Sequence, residues 1–509
     1  MEVLPPRLRA VADCRVAFMR EYSGMHEYDG MIQDLSPDGV RRALAALGGD
    51  PLDDPLDEQV VAAAESALRV RLGELRNAHR DPSLHLEALD LACYERAYAP
   101  LEERREARRR HLTGWPAAID AAIASLDEVP RDSAAALLPS ARGLAAGVGG
   151  DDGPVGELAL ASLSRLVAHL ERLAHEGSEI AVLGEDRLVQ LVTCADDINV
   201  DLSNLQARVQ RERSRMLELL ADACSRLGVG RLEPHVVRAL LVGYPSFAET
   251  LEAATQVVAE AAVFVAERRL VPYLEGECLV GATPAARRWA GARISWVAPR
   301  EALSPAIFHI TPPDPSGDAL QQAAWLARFS PVTLPVVTVH ETVPGHASHA
   351  IAMRHVQSVP RQVLWSELFF EGWAHYVEEL CFEEGFHSGD ARYQAGVAIE
   401  ALVRLARVEC AIGIQTGQLT VAGATEVFRD QAFLLERAAQ AEAARGLFEP
   451  TYIRYALGKF LVQDLRSSAK KHWAAEFSLT RFHRELLALG SPPFGAVAPA
   501  LGLPSQGPA

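Results

Sequence analysis

The sequence contains 509 residues, of which 49% are hydrophobic and 23% are charged. This balance is typical of a folded globular protein and excludes a disordered chain. The formal net charge of −17 argues against a nucleic-acid-binding protein, because such proteins need a basic face that neutralises phosphates.

Three features of the sequence predict a cytoplasmic protein with no membrane partner. The first residues (MEVLPP) lack the basic segment followed by an apolar segment that marks a signal peptide, and no stretch approaches the roughly 20 apolar residues of a membrane span. The seven cysteines are scattered without paired spacing. This pattern is typical of reduced thiols and indicates neither a disulfide framework nor a cysteine-based zinc site.

Apolar residues recur at intervals of three and four along most of the chain, which predicts α-helices. In chain order we expect an N-terminal helical region over residues 1–150, a long-helix region over 151–300 and a C-terminal catalytic region over 301–509, packed as one body. The mixed-charge run at 101–112 is predicted to be a helix with a solvated face. The glycine-rich run at 142–157 is predicted to be a linker or a long loop.

A second irregular segment, rich in proline and glycine, covers residues 270–315 and interrupts the helical pattern. Within it, the short apolar run AIFHI at 306–310 is followed by a threonine and two prolines, which predicts a strand at the edge of a sheet. Helical periodicity returns from about residue 320 onwards. The predicted fold class is therefore mainly α, with one short strand element.

The sequence HETVPGH at 340–346 resembles a zinc site, in which two histidines bind Zn²⁺ and a glutamate takes a proton from the bound water. His340 and His346 are the candidate ligands, and Glu341 is the candidate base. Six residues of straight helix would rotate the two histidines by about 240°, so the site requires the proline–glycine pair to break the helix. His349 is an alternative ligand or supporting residue. Ordinary core or surface histidines are the alternative interpretation of the motif.

The segment ELFFEGWAHYVEEL at 367–380 supplies a candidate third ligand. Glu371 stands among aromatic residues, and a carboxylate in apolar company is costly unless it is paired or metal-bound. Glu371, His375 and Glu378 lie at i, i+4 and i+7 and therefore share one helix face. We expect Glu371 to bind the metal. The other glutamates of this helix are expected to form a solvated stripe: Glu378, Glu379, Glu383 and Glu384.

Together, the HExxPGH and EGWAxY motifs resemble those of the large bacterial family called domain of unknown function 885. The strand-forming run at 306–310, with the prolines after it, and the segment YALGK at 455–459, with Leu465 and Arg466 after it, are similar to further elements of that family. The resemblance covers roughly residues 300–466, whereas the N-terminal half is similar only in its helical character.

This resemblance implies a large helical fold like that of the gluzincin metallopeptidases, with a short strand element beside the active-site cleft. It also implies that Zn²⁺, or another divalent metal, is held by His340, His346 and Glu371. Glu341 would then act as the general base.

One segment departs from the pattern of this family. After the arginine-rich helix that contains Arg404 and Arg407, such proteins carry an Asp-x-Gly-x-His stretch, whereas this sequence has Ala411 and Gln415 at the Asp and His positions. We expect both side chains to face the cleft and to alter substrate recognition. Glutamine, unlike histidine, does not titrate near neutral pH.

Several other residues are candidates for contact with the substrate. The hydroxyl of Tyr455 is expected to stabilise an oxyanion, although a packed aromatic ring with its hydroxyl satisfied locally is the alternative. Arg454 is a candidate for binding a substrate carboxylate, as is Lys459, although a surface position is expected for Lys459. The remaining candidate substrate-binding residues are His309, His349, His375 and Gln415.

The functional prediction is a metal-dependent hydrolase of the metallopeptidase type that acts on short peptides or amino-acid amides. Two alternatives stay open. One is a metal-dependent biosynthetic enzyme acting on an amino-acid-derived intermediate, which Ala411 and Gln415 favour, and the other is a metal-free relative without enzymatic activity. A small molecule is thus the expected partner, and the sequence leaves the oligomeric state open.

Overall fold

The computed structural model describes residues 4–178, 182–288 and 290–504, and over these residues the protein is mainly α-helical, as predicted. The helices of the first part are α1 (Pro6–Asp13), α2 (Val16–Glu21), α3 (Pro37–Ala45), α4 (Pro55–Leu68), α5 (Asn77–Arg80), α6 (Pro82–Leu89), α7 (Leu101–Ser125) and α8 (Arg131–Gly143). Those before the sheet are α9 (Gly153–Glu176), α10 (Glu185–Thr193), α11 (Leu202–Arg226), α12 (Pro234–Leu240) and α13 (Phe247–Arg268). Those after it are α14 (Ala319–Leu326), α15 (Leu334–Glu341), α16 (His346–Arg354), α17 (Val359–Val363), α18 (Glu367–Glu383), α19 (Ala391–Gln415), α20 (Val421–Gln431), α21 (Glu436–Phe448), α22 (Arg454–Trp473), α23 (Leu479–Leu487) and α24 (Phe494–Ala500). Among the described residues, no helix is both long and apolar enough to cross a lipid bilayer.

The sheet has three short strands, β1 (Cys278–Ala282), β2 (Ala292–Ser295) and β3 (Ala306–Ile310), in the order β1-β3-β2. β3 runs parallel to β1 and antiparallel to β2. The predicted strand is therefore confirmed, but its predicted edge position is wrong, because the irregular segment before it folds back and pairs on both sides. Phe308 and Ile310 are fully buried in a small apolar cluster, which explains the apolar run.

Side-chain caps fix where several helices begin. The hydroxyl of Ser366 and the carboxylate of Asp201 each accept a hydrogen bond from the third backbone N–H that follows, at the starts of α18 and α11. Asp318 begins α14 with a capping box. Because the cap starts α18 at Glu367, Glu371 lies in the second turn of that helix.

The core of the C-terminal half is built around α18, α19 and α22. Most residues of α19 are buried, as expected for a helix that is apolar on all sides. α18 and α22 cross at two glycines, where a Cβ on Gly372 would overlap the backbone of Gly458. This close crossing brings Tyr455, in the first turn of α22, beside Glu371.

The glycine-rich run at 142–157 is a compact turn, which corrects the prediction of a linker or long loop. It consists of the end of α8, two short 3-10 turns and the start of α9. α8 and α9 pack together, since Leu137 of the first helix and Leu163 of the second belong to the same buried cluster. The division into three regions stays a prediction.

Candidate metal centre

The predicted helix break between the two histidines is confirmed. α15 ends at Glu341 and α16 begins at His346, and between them Thr342 leaves the helical conformation, with φ −104° and ψ −118°. Gly345 is required at this turn, because a Cβ there would overlap the carbonyl oxygen of His340. As a result, the imidazole rings of His340 and His346 lie 4.7 Å apart between centroids, with their planes at 83°.

The break brings both histidines to Glu371 on α18. His340 Nε2 lies 3.5 Å and His346 Nε2 lies 3.3 Å from Glu371 Oε2, and the ligating atoms of the three residues lie within 4.8 Å of one another. Two donor atoms that are each about 2.1 Å from a tetrahedral ion lie about 3.4 Å apart. The spacing of these three side chains therefore fits a single divalent cation.

The polar atoms of this cluster also fit a cation. Glu371 Oε2 is buried and accepts no hydrogen bond, and an acceptor in that position is costly without a positive partner. Burial raises the pKa of Glu371, but His346 and His340 together hold it well below its usual range. Two imidazoles and one carboxylate form a donor set that zinc enzymes use, with a fourth position left for water or substrate.

Behind the cluster, Glu378 connects His340 to two further groups. Its carboxylate accepts hydrogen bonds from His340 Nδ1 at 2.7 Å, His375 Nδ1 at 3.1 Å and Arg404 Nη2 at 2.9 Å. A carboxylate bonded to one imidazole nitrogen fixes the tautomer and leaves the other nitrogen for the metal. Burial lowers the pKa of His340, but the adjacent carboxylates of Glu371 and Glu378 outweigh that and raise it to about 9.

The prediction of a solvated glutamate stripe on α18 is wrong for two residues. Glu378 is 1% exposed and Glu379 is 5% exposed, because neighbouring helices cover α18 on more than one side. Lys459, expected at the surface, is also buried, and its Nζ lies 2.7 Å from Glu379. Buried charges are tolerated when they are paired, and Glu379 forms a second ion pair with Arg215.

Glu341, the candidate base, is buried at the end of α15 and lines the main cavity. Burial raises the pKa of its carboxyl, and the nearby His346 and His340 offset only part of that rise. A carboxylate whose pKa is shifted towards neutrality is a stronger general base. Glu341 therefore has the electrostatic environment that a general base requires, as its position next to His340 in the motif predicts.

The main cavity has a volume of about 540 Å³. Its wall contains the cluster of His340, His346 and Glu371, here called the metal cluster, together with Tyr455 and Arg454. The ring centroid of Tyr455 lies 6.3 Å from that of His340. Its hydroxyl accepts a hydrogen bond from Arg445 at 3.2 Å, which leaves its own proton available to a substrate. The hydroxyl of Tyr455 is thus paired within the protein, as the packing interpretation expects, and it also keeps a proton that can be donated to an oxyanion.

Three histidines predicted to contact the substrate lie outside the wall of this cavity. His309 bonds to a serine of β2, His349 to the carbonyl oxygen of Gly490, and His375 to Glu378. Burial lowers the pKa of His309 to about 4, of His349 to about 3 and of His375 to about 4, which favours their neutral forms. These rings bond to neighbouring protein groups in the structure, and their contact with a substrate stays a prediction.

The two residues that depart from the family pattern are separated by the fold. Gln415 lines the main cavity and donates a hydrogen bond to the carbonyl oxygen of Gly446 at 3.1 Å. Ala411 is fully buried within the large apolar cluster. The prediction that both face the cleft is therefore wrong for Ala411, which lies one turn earlier in α19 and packs in the core.

The strand β2 contributes an edge to the cavity wall. Residues 290–294 line the cavity, and the carbonyl oxygen of Gly291 accepts the N–H of Thr311 beyond the end of β3. Alternate residues of an antiparallel strand direct their backbone groups to the same side. Ala292 and Ile294 therefore direct theirs away from β3, an arrangement that can pair with an extended substrate. No pattern in the sequence predicted this strand.

Comparisons with known proteins agree with the fold. The structure of "a putative lipoprotein of unknown function" from Shewanella oneidensis is similar, with a TM-score of 0.73, 17% identity and 96% of each chain covered. A similarly described protein from Colwellia psychrerythraea has a TM-score of 0.77 and 15% identity, with 97% of this chain and 96% of that chain covered. No curated protein matches the sequence. The model of the family "Bacterial protein of unknown function (DUF885)" matches residues 19–500, and the chain therefore belongs to that family.

Proposed function

We propose that the protein is a metal-dependent hydrolase that cleaves amide bonds in short peptides or amino-acid amides. The observation that carries this proposal is the convergence of His340, His346 and Glu371, with Glu341 beside them at the wall of the main cavity. The carboxylate of Glu378 on His340 supports it further, because metal-binding histidines are commonly oriented in this way.

Each residue around the metal cluster has a separate role in the proposed amide hydrolysis. A divalent cation such as Zn²⁺ would supply Lewis acidity to the amide carbonyl and to water. Glu341 accepts the proton of the attacking water and returns it to the leaving amine. The hydroxyl of Tyr455 donates a hydrogen bond to the developing oxyanion. The edge of β2 aligns the substrate backbone, and the limited volume of the cavity favours short substrates over folded proteins.

A second candidate is a metal-dependent biosynthetic enzyme that acts on an amino-acid-derived intermediate. The observation that favours it is Gln415 in the cavity wall, where the family pattern has a titratable histidine. The same metal cluster would then serve a different reaction. Screening amino-acid derivatives beside peptides separates the two candidates.

Metal analysis combined with a substrate screen tests the proposal. We expect the purified protein to contain about one equivalent of zinc or to bind it when it is added, and His346→Ala to lose it. His355→Ala is the matched control, since that exposed histidine pairs with Glu275 away from the cluster. Glu341→Gln should keep the metal while turnover of a peptide found by mass spectrometry falls about 10²–10⁴-fold. A wild-type protein that binds no divalent metal would support a metal-free relative.

The compartment is a separate proposal. All seven cysteines are free, which favours the reducing cytoplasm, whereas the descriptions of both structural neighbours contain the word lipoprotein. Fractionation of the native host, followed by detection of the protein with an antibody, decides between the cytoplasm and a membrane-anchored location.

A further inference from the structure

We propose that Arg15, Arg71 and Arg454 bind the free carboxylate of the substrate, so that the enzyme acts on peptides or acyl-amino acids with an unblocked C-terminus. This inference rests on the proposed function for the cleavage step, but it concerns recognition. It brings residues of the N-terminal helices into the active site and excludes C-terminal amides as preferred substrates.

The three arginines share one carboxylate, that of Glu367. Arg71 Nη1 lies 3.9 Å and Arg454 Nη1 lies 3.4 Å from its oxygens, and neither contact has the geometry of a hydrogen bond. Burial raises the pKa of Glu367, but Arg454, Arg71 and Arg15 together hold it below its usual range. The carboxylate of Glu367 thus lies within 4 Å of Arg71 and Arg454 and within electrostatic range of Arg15, and no hydrogen bond joins it to these groups.

Arg15 and Arg71 have most of their N–H donors unused, whereas Arg454 donates to the hydroxyl of Thr451 at 2.8 Å and to the carboxylate of Glu449. The guanidinium of Arg15 lies 3.7 Å from the ring centroid of Phe18, and within the described residues no carboxylate comes within 4 Å of it. Arg71 has Glu367 as its single ion-pair partner among the described residues, and Nε of Arg454 is buried without an acceptor. Guanidinium groups present N–H donors in a rigid fork that matches the two oxygens of a carboxylate.

The arginines lie where two cavities meet. Arg71, Arg454 and Glu367 line both the main cavity and a neighbouring one of about 70 Å³, whose wall includes Arg15. Arg454 directly precedes Tyr455 and lies close enough to Glu371 for the two charges to interact. A carboxylate bound here would therefore belong to a molecule that also reaches the metal cluster.

The local backbone around Arg71 supports a functional role. α4 continues into a π-helical segment, Arg69–Glu74, and such segments are rare and occur frequently at functional sites. The wider turn places Arg71 at the cavity, whereas Arg69 in the same segment is half exposed and pairs with Glu65.

Of the other carboxylates within electrostatic range, Glu449 pairs with Arg454, whereas Asp196 and Glu87 form no ion pair with the three arginines. Asp196 accepts hydrogen bonds from the hydroxyl of Ser366 and the backbone N–H of Phe494. Glu87 lines the main cavity, where its side chain is exposed. Arg15 and Arg71 therefore keep N–H donors for an anion.

Binding of two dipeptides that differ only at the C-terminus tests the proposal. Alanyl-alanine and alanyl-alaninamide are titrated calorimetrically into the Glu341→Gln protein, with and without zinc, so that cleavage does not interfere. We expect the acid to bind roughly tenfold more tightly than the amide, or better. Arg71→Gln and Arg15→Gln, made in that background, should bring the ratio close to one, whereas the matched control Arg69→Gln should retain it.

Thermal unfolding checks that each variant is folded. Should both glutamine variants unfold, Arg71→Lys serves instead: it keeps the charge but loses the fork, and we expect it to lower the ratio. An unchanged ratio in the folded arginine variants, a wild-type ratio of one, or no binding of either dipeptide overturns the proposal. Inorganic phosphate that displaces alanyl-alanine more strongly than acetate does would assign the arginines to a phosphorylated ligand instead. Binding of the dipeptides that does not depend on zinc, with the acid still preferred over the amide, contradicts the metal site. It does not contradict the proposed recognition of the carboxylate.

Discussion

Replacing Glu378 by glutamine tests whether the carboxylate behind His340 tunes the metal site. Glu378 accepts hydrogen bonds from His340, His375 and Arg404 at 2.7, 3.1 and 2.9 Å. Glutamine keeps one acceptor oxygen but replaces the other by a donor and removes the charge. The imidazole of His340 is then held less firmly and is less basic. We expect the affinity for zinc to fall about 10–100-fold.

That loss corresponds to about 1.4–2.7 kcal/mol of binding free energy. The variant should also be less stable, since removing one partner of a buried ion pair costs about 3–5 kcal/mol. Arg404 retains its second partner, Glu400, so we expect the lower end of that range. A control must therefore separate loss of stability from loss of metal affinity.

Glu379→Gln supplies this control. Glu379 is the next residue of α18, is equally buried, and pairs with Lys459 and Arg215. It contacts none of the metal ligands. We expect Glu379→Gln to lower the free energy of unfolding by a similar amount and to leave the affinity for zinc unchanged.

The two variants are compared by competition with a chromophoric zinc chelator and by urea unfolding of the metal-free proteins. A selective loss of zinc affinity in Glu378→Gln supports the positioning role. Wild-type affinity in Glu378→Gln, or equal losses in both variants, would refute it. In the second case, the loss would follow from destabilisation alone.

Three further predictions concern other parts of the molecule. Tyr455→Phe removes the proposed oxyanion donor, so kcat should fall about 10²–10³-fold at unchanged zinc content; an unchanged kcat would favour a packing role. Gly345→Ala places a methyl group on a backbone carbonyl, and chelator competition should show loss of tight zinc binding, whereas wild-type affinity would show that the turn can relax. Burial lowers the pKa of His26, but its hydrogen bond to Asp29 and the nearby carboxylate of Glu301 raise it to about 9, above the value of about 6.5 in an unfolded chain. The stabilisation from this pairing is fully present below about pH 6.5 and is lost as the pH rises through 9. The difference in unfolding free energy between wild type and His26→Gln should therefore shrink from pH 6 to pH 10. A constant difference would contradict the prediction.

The metal motif could be predicted from the sequence because its signals are local. A proline–glycine pair between His340 and His346 prevents a continuous helix, and the structure breaks the helix there. Glu371 stands among aromatic residues, which marks a carboxylate that needs a partner. The structure brings it within 3.5 Å of both imidazoles.

The charged residues behind the site could not be predicted in the same way. Helical periodicity assigns polar positions to a solvated face, which holds only when a helix has one apolar side. α18 is covered on more than one side, so Glu378 and Glu379 find their partners inside. Those partners, Arg404 and Arg215, lie 26 and 164 residues away in the sequence. No local pattern reports a contact at that distance.

The same reasoning explains why no function could be predicted from the N-terminal half, although that half helps to form the main cavity. Arg71 and Glu87 lie far from the motif in sequence, and the fold places both in the wall that contains the metal cluster. The ligands come from α15, α16 and α18, whereas much of the wall facing them comes from helices of the first hundred residues. The proposed chemistry and the proposed carboxylate recognition thus use different stretches of the chain. On this proposal, substitutions of Arg15 and Arg71 change which molecules bind and leave the arrangement of His340, His346 and Glu371 intact.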